Sequence, residues 1–403
     1  MTLDRAPAMI ARQASTRLVI EQVLRGGPIS RAEIARGTGL SKQTISEVMR
    51  ELERGGWVRE EGQVQGAVGR SAVTYAIRPD AAFVLGIDLG GTKLHLALAD
   101  LHGQIVAEIV EPTQHAGGAA VIEQIGRLAD TLVEKVGIAR DRVRSAVMGS
   151  PGIVDPRSGA IMIAPNVPGL DTFDVRAALR ARLGIDVAIE NDVNLAAVGE
   201  HWCGGSKDAR SFAFVALGTG IGLGIFADGR LLRGARGAAG EISYLPLGGD
   251  PYDARGHRVG TLEMAVGSAA MLGRYVALGG SDKLTVREIF DRLDEDAAGR
   301  AVMDEVARIV ATAILAIHSI IDPEVVVMGG NVGARPELVR CIAAHLGRCM
   351  AEPVRIESSR LGGRATLIGA IAGAIDQVHQ AVFGIGAGTG LRAPPDLAMA
   401  AAS

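Results

Sequence analysis

The sequence predicts a small helical head closed by a β-hairpin, followed by a larger α/β body of two similar lobes. Three observations lead there. Residues 1–80 hold three short helical periods and then two strand-like runs. A strand–turn–strand meander opening at Val84 is repeated from Phe212, and each copy is followed by alternating helices and strands. With 403 residues, 48% of them hydrophobic, the chain can bury a large core spread over two or three domains.

Composition narrows the class further. No apolar run reaches the roughly 18 to 20 residues of a membrane span, and Met1 to Arg17 lacks the apolar stretch of a secretory signal, so a cytoplasmic protein without a membrane partner is expected. Cys203, Cys341 and Cys349 are odd in number and lack C-x-x-C spacing, which suggests ordinary thiols rather than disulfides or a cysteine metal knot. Residues 1–80 carry 12 Lys and Arg against 9 Asp and Glu, whereas the rest carries 30 against 36. A basic head on an acidic body fits nucleic-acid binding, although a solvated surface would read the same.

In the head, Leu18, Ile20, Val23 and Leu24 make an apolar stripe that ends near Gly26-Gly27-Pro28. Ser30 followed by Glu33 is a capping box opening a second helix, which stops at Gly37-Thr38-Gly39. Ser41 caps a third helix running to about Arg54. There Ile45, Val48, Met49 and Leu52 face inward, leaving Lys42, Gln43, Thr44, Ser46, Glu47 and Arg50 to the outside. Two short helices about a glycine turn, the second with a hydrogen-bonding outer face, form a helix-turn-helix pattern. Strands at Trp57 to Glu60 and Val73 to Ile77, around a loop from Gly62 to Gly69, add a wing, with Arg70 at its tip as a minor-groove probe. The plainer alternative is a three-helix subdomain with a solvated polar face. Pro79-Asp80 marks the boundary at residue 80.

In the body, Val84 to Asp88 is a strand leading into Asp88-Leu89-Gly90-Gly91-Thr92-Lys93; Leu94, Leu96 and Leu98 then alternate as in a half-buried strand, and Gln104 to Ile109 is a third. The second meander runs Phe212 to Leu217, Ile221 to Ala227 and Arg230 to Leu232. Helices are predicted at Ala119 to Val136, Asp192 to Trp202, Ala297 to Ile321, Arg335 to Met350 and Ala365 to Val378, the last crossing back to the first lobe. Strands are predicted at Val143 to Gly149, Val187 to Ile189, Val325 to Met328 and Val354 to Glu357. The expected units are 1–80, 81–200 joined by about 363–383, 201–362, and a mobile Gly/Ala/Pro-rich tail at 384–403.

The Asp88-x-Gly90-x-Thr92 turn can bring backbone N–H groups and a hydroxyl to a phosphate, with Asp88 placed to act through Mg²⁺. A second glycine-rich turn, Leu217 to Gly224, would face it; it is not a dinucleotide fingerprint, because it precedes a strand. Each turn could instead be a tight hairpin that needs glycine for positive φ. At the strand-to-helix junction Ile189 to Asn194, Asp192 either caps the helix or, at a strand's carboxyl end, takes a proton from a sugar hydroxyl while Asn191 orients the sugar.

Taken in order, DLGGTK (Asp88 to Lys93), SPG (Ser150 to Gly152), PN (Pro165-Asn166), ENDVN (Glu190 to Asn194), LGTGIG (Leu217 to Gly222), GEI (Gly240 to Ile242) and MGG (Met328 to Gly330) resemble the motifs of the ROK family, named for repressors, open reading frames and kinases. The resemblance spans essentially the whole chain, head included, and implies a winged helix-turn-helix on a two-lobed, duplicated RNase H-like, actin-like sugar kinase fold. It implies Asp192 as catalytic base and Asn166, Asn191, Asp192, Glu241 and Glu263 as sugar-binding, with Tyr244 at the place of a family histidine. It implies Asp88, Gly90, Gly91, Thr92, Lys93, Gly218, Thr219, Gly220, Gly329 and Gly330 around a nucleotide, with ATP and Mg²⁺ as the cofactors. The family's structural zinc is held by that histidine and three cysteines. Here those places hold Tyr244, Ala254, Gly256 and Thr261, so no structural zinc is expected, and the lone His257 makes no site.

The expected protein is a sugar-responsive repressor of carbohydrate genes. Its partners are a sugar or sugar phosphate effector, a second copy or more (homodimer or homotetramer) and an inverted-repeat duplex operator. Sugar closing the lobes would change the spacing or mobility of the heads. The rival is an ATP-dependent sugar kinase that carries a DNA-binding head; a protein-docking adaptor is a third reading.

Overall fold

The computed structural model describes residues 5–65, 71–155, 157–162 and 167–385, the side chains of 5–10, 64 and 65 aside, and the counts below are of these. The head consists of α1 (Arg5–Gly26), β1 (Ile29–Ser30), α2 (Arg31–Thr38), α3 (Lys42–Arg54), β2 (Val58–Gln65) and β3 (Ser71–Ile77), with the strands ordered β1-β3-β2. The Ser30–Glu33 capping box forms, Gly39 ends α2 in the left-handed region, and Ser41 accepts from the Thr44 N–H. Ile45, Val48, Met49 and Leu52 are buried as their spacing requires. Two expectations change. Leu18 is 41% exposed and Val19 is buried in its stead, because the buried stripe of α1 is Val19, Ile20 and Val23. The hairpin is also longer than predicted: β2 runs through a bulge at Glu60/Gly62 to Gln65, so most of the expected loop that is described is strand.

The body follows as β4 (Phe83–Leu89), β5 (Lys93–Asp100), β6 (Ile105–Pro112), α4 (Gly118–Val136), β7 (Val143–Ser150), α5 (Val175–Leu183), β8 (Asp186–Asn191) and α6 (Asp192–Trp202). Then come β9 (Phe212–Leu217), β10 (Ile221–Ala227), β11 (Arg230–Leu231), α7 (Gly256–Val259), α8 (Thr261–Val266), α9 (Ser268–Ala277), α10 (Val286–Phe290), α11 (Ala297–Ile321), β12 (Val325–Gly329), α12 (Pro336–Cys349), β13 (Ile356–Ser358) and α13 (Ala365–Phe383). Two five-stranded sheets result, β6-β5-β4-β7-β8 and β11-β10-β9-β12-β13. In each, the first strand of the meander pairs antiparallel with the second and parallel with the fourth, so both sheets have the order 3-2-1-4-5. The duplication read from the meanders is thus a duplication of topology.

Strand β5 is buried on both faces rather than one, because α4 covers one side of its sheet and α13 the other. Helix α13 does return to the first sheet, crossing β4 and β7 and lying along α6. That crossing is close enough to demand glycine: a Cβ on Gly369 would meet the Leu195 carbonyl oxygen at 1.8 Å, and one on Gly199 the Ala365 oxygen at 2.5 Å. The head shares its core with this helix. One apolar cluster runs from Val19, Ile45 and Met49 through Ile371 and Ile375 to Phe383, and the Phe383 ring meets Trp57 of the head edge-on at 5.3 Å. Gly384 ends α13 in the left-handed region and Ile385 is fully buried, so packed structure extends two residues into the expected tail; 386–403 lie outside the described residues.

Candidate functional site

Strand β8 delivers Glu190 and Asn191 to the start of α6, and the local sequence settles which residue caps it. Asn191 is the cap: its Oδ1 accepts from the Asn194 N–H at 3.0 Å while its Nδ2 donates to the Gly152 carbonyl at 3.0 Å. This corrects one expectation: Asp192 is not the cap. Asn191 closes the helix and holds the Ser150 to Gly152 turn, and its amide keeps a second N–H and a second lone pair for a sugar. The Asp192 carboxylate accepts from the adjacent Val193 N–H, at 2.9 Å, and its carbonyl accepts from Thr366 Oγ1 of α13 at 3.1 Å.

Four acids distant in sequence converge here. Burial raises the Asp192 pKa from 3.8 to about 7, and the charges of Asp88 and Glu241 push the same way. Asp88, at the end of β4, is raised to about 6 by burial, opposed by the Lys93 ammonium. Burial, and the neighbouring Glu263, raise Glu241; burial likewise raises Glu263, which accepts from the Ile221 N–H at 3.0 Å. Asp88, Asp192, Glu241 and Glu263, each half-buried, form an acidic cleft reaching from one sheet to the other. Its acids can accept hydrogen bonds from hydroxyls, take up a proton near neutral pH, or share a divalent cation.

The glycine turns serve packing rather than positive φ. Both turns close antiparallel hairpins, but Gly90, Gly218, Gly220, Gly222 and Gly224 all lie outside the left-handed region, so positive φ is not what calls for glycine there. A Cβ on Gly220 would sit 2.2 Å from Glu263 Oε2, and on Gly224 2.7 Å from the Ala197 Cβ, so these glycines let the acid and helix α6 press onto β10. The Gly90 N–H donates to the Lys93 carbonyl at 2.9 Å, and so is not among the amides offered to a phosphate; Thr92 and Lys93 are exposed. The Gly218 to Gly220 turn is tied to α9 by Ser268, whose Oγ donates to the Gly218 carbonyl at 2.7 Å. Gly330, at φ +79, brings the second turn alongside, and the Val332 and Gly333 N–H groups donate to the Leu217 carbonyl. Thr219 thus lies between Gly218 and Gly220 at the edge of a cradle completed by Gly329 and Gly330.

Tyr244 stands 47% exposed, its hydroxyl donating to the Arg258 carbonyl at 3.4 Å. Asp253 is held well below its ordinary pKa, at about 2, by Arg255. The stretch that precedes Glu263 is therefore closed by a hydrogen bond and an ion pair. Asn166 and Arg70 lie outside the described residues. A contact missed from sequence is the ion pair between Arg233, just after β11, and Glu190 of β8, at 2.5 Å, which clasps the two sheets together beside the cleft. Glutamate in ENDVN was the available signal, but nothing local points to its partner.

On the head, Lys42, Gln43 and Arg50 are exposed on α3, while Thr44 and Ser46 are half-buried. Thr44 shares its hydroxyl with the Ser41 cap at 2.8 Å, and among the described residues Gln43 and Arg50 make side-chain hydrogen bonds within the helix.

A winged helix-turn-helix joined to a duplicated sheet fold, with an acidic cleft between the sheets, defines a DNA-binding head on an actin-like sugar kinase scaffold. The ROK family matches residues 84–377 and the MarR family residues 14–67. The chain belongs to the ROK family. The xylose repressor of Caldicellulosiruptor bescii is 26% identical over 90% of this chain and 96% of its own length. A ROK hexokinase structure from Thermus thermophilus matches with 31% identity and a TM-score of 0.64, covering 74% of this chain and 99% of that one. A ROK family transcriptional regulator, a homologue of the Escherichia coli MLC protein, has the same fold along 97% of this chain and 98% of its own (23% identity, TM-score 0.75).

Proposed function

We propose that this protein is a sugar-responsive, DNA-binding transcriptional repressor whose effector site is the cleft of Asp192, Glu241 and Glu263. The observation that carries the reading is mechanical. Helix α13 touches the cleft at one end, through Thr366 and the Asp192 carbonyl, and the DNA-binding head at the other, through Phe383 and Trp57. A sugar that draws the two sheets together would move α6 against α13 and so reach the head. Coupling of this kind amounts to about 1 to 3 kcal/mol, a several-fold to hundredfold change in operator affinity. Similarity to the xylose repressor along nearly the whole chain supports the same role. We take residues 1–80 as the DNA-binding unit, 81–200 with 363–383 as one lobe and 201–362 as the other. The functional species is a homodimer or homotetramer reading an inverted repeat through Lys42, Gln43, Thr44, Ser46 and Arg50, with Arg70 in the minor groove. No helix among the described residues is long and apolar enough to cross a membrane.

The second reading, an ATP-dependent sugar kinase, is favoured by the acidic cleft itself. Asp192, poised near neutrality, suits a general base, and Asp88 with Thr92 suits a Mg²⁺ ion, which would supply charge neutralisation to a phosphoryl group. The turns at Gly218 to Gly220 and Gly329-Gly330, with Gly91 and Lys93 opposite, would hold the nucleotide. Against fast turnover stands the loop of Tyr244, held by one long hydrogen bond and an exposed ion pair, since misplacing a hydroxyl can cost about a hundredfold in rate. Binding of a selected operator is measured across hexoses, pentoses and amino sugars, alongside a coupled kinase assay. The repressor reading requires at least one sugar to shift operator affinity. Turnover of about 1 to 100 per second without any such shift would make the enzyme reading primary.

A further inference from the structure

The second sheet has a second place where unlike ligands converge, on the face away from α6. Phe212 and Phe214 of β9 turn toward α6, whereas Ala213, Val215 and Leu217 turn toward α11 and α12. On that far side Cys341 and His345, four residues apart on one face of α12, meet Asp304 of α11. His345 Nε2 lies 2.9 Å from Asp304 Oδ1, Cys341 Sγ lies 3.6 Å from the same oxygen, and the three donor atoms all fall within 4.8 Å of one another. The His345 side chain is 12% exposed and that of Asp304 64%, so the triangle has a protein wall on one side and solvent on the other.

We propose that Asp304, Cys341 and His345 form a binding site for a borderline-soft divalent metal ion of the zinc and cobalt class. The donor set makes the choice of metal. A thiolate with an imidazole selects such ions, whereas magnesium and calcium take all-oxygen sets. The spacing agrees. With bonds of about 2.0 Å to nitrogen and oxygen and about 2.3 Å to sulfur, a tetrahedral ion sets its ligands about 3.3 Å (N to O) and about 3.5 Å (S to O) apart. The sulfur contact already matches, and the imidazole–carboxylate contact must open by a few tenths of an ångström. Three protein ligands leave a fourth position on the solvent side for water. A thiol must give up its proton to bind the ion, so affinity rises with pH. A bound ion staples α11 to α12. The site shares no residue with the acidic cleft or the Tyr244 loop.

The test is a Co²⁺ titration of the full chain after dialysis against chelator. One equivalent should bind, with a thiolate-to-cobalt charge-transfer band and the strong visible bands of four-coordinate cobalt, and zinc should displace it. Cys341→Ser should abolish the charge-transfer band, and Cys341→Ser and His345→Gln should each weaken binding at least about a hundredfold, more than the loss of an outer partner costs. Far-ultraviolet circular dichroism and thermal melts check that each variant is folded. A native chain without a saturable band, or a band that survives Cys341→Ser, overturns the proposal. In either case the three residues are a surface ion pair with a neighbouring thiol.

Discussion

Replacing Asp192 by Asn removes a charge the fold holds at a cost, and the structure sets the size of the effect. The amide oxygen can still accept from the Val193 N–H, so the local geometry survives. The carboxyl pKa rises from 3.8 to about 7 through burial, aided by Asp88 and Glu241. Because the folded value lies above the unfolded one, the penalty is absent below about pH 4, grows as pH rises, and levels off above about pH 7. At 1.36 kcal/mol per pH unit it reaches about 4 kcal/mol. Between pH 6 and pH 8 the wild type should lose about 1 kcal/mol at this residue alone. Asp192→Asn should therefore melt about 5 to 10 °C above the wild type at pH 8, with the gap narrowing steadily toward pH 4. The measurement is a series of thermal melts of both proteins from pH 4 to pH 8, with and without the effector sugar. The variant should lose most of the sugar-induced rise in melting temperature. A variant less stable than wild type at pH 8, or a gap that does not change with pH, would refute the reasoning.

Three further outcomes follow from the same structure. Selection of genomic fragments with the full chain should yield an inverted repeat with half-sites about 34 Å apart or a multiple of that; Gln43→Ala or Arg50→Ala should cost about 1 to 3 kcal/mol and relax one position, and recovery of no enriched sequence counts against the repressor. Phe383→Leu removes the edge-on contact with Trp57, worth about 1 kcal/mol, and should leave sugar binding intact by thermal shift while shrinking the sugar's effect on operator affinity; an undiminished effect would mean that α13 is not the link. Elemental analysis of the Cys341→Ser variant after dialysis against chelator should find no stoichiometric zinc, since Tyr244, Ala254, Gly256 and Thr261 offer neither imidazole nor thiolate; about one zinc per chain in that variant would turn attention to Asp253 and His257.

Capping and periodicity are local, and where they are strong the chain reads directly. The Ser30–Glu33 box, the Ser41 cap and the helices Asp192–Trp202 and Ala297–Ile321 appear where their residues place them, because each depends on neighbours within a few positions. The meander at Phe212 was equally legible, alternating strands being separated by glycine turns. The short helices α7 to α10, of 4, 6, 10 and 5 residues, were not, since so short a stretch holds too little period to stand out.

From sequence alone came the two-part architecture, the duplicated sheet, and the acids of the motifs. What tertiary structure decided was which groups those acids meet. Asn191 caps α6 and holds Gly152, and Glu190 reaches across to Arg233, because β8 and the segment after β11 meet only in the folded chain. Strand β5 is buried on both faces because α13, about 270 residues later, lies over its sheet. The same helix carries the contact to Trp57. Cys341, His345 and Asp304 meet through the packing of α11 on α12, and no pattern within either helix specifies that partner. Local signals set each element, but distances between elements arise from how sheets and helices close on one another, and in this protein the working contacts are of that second kind.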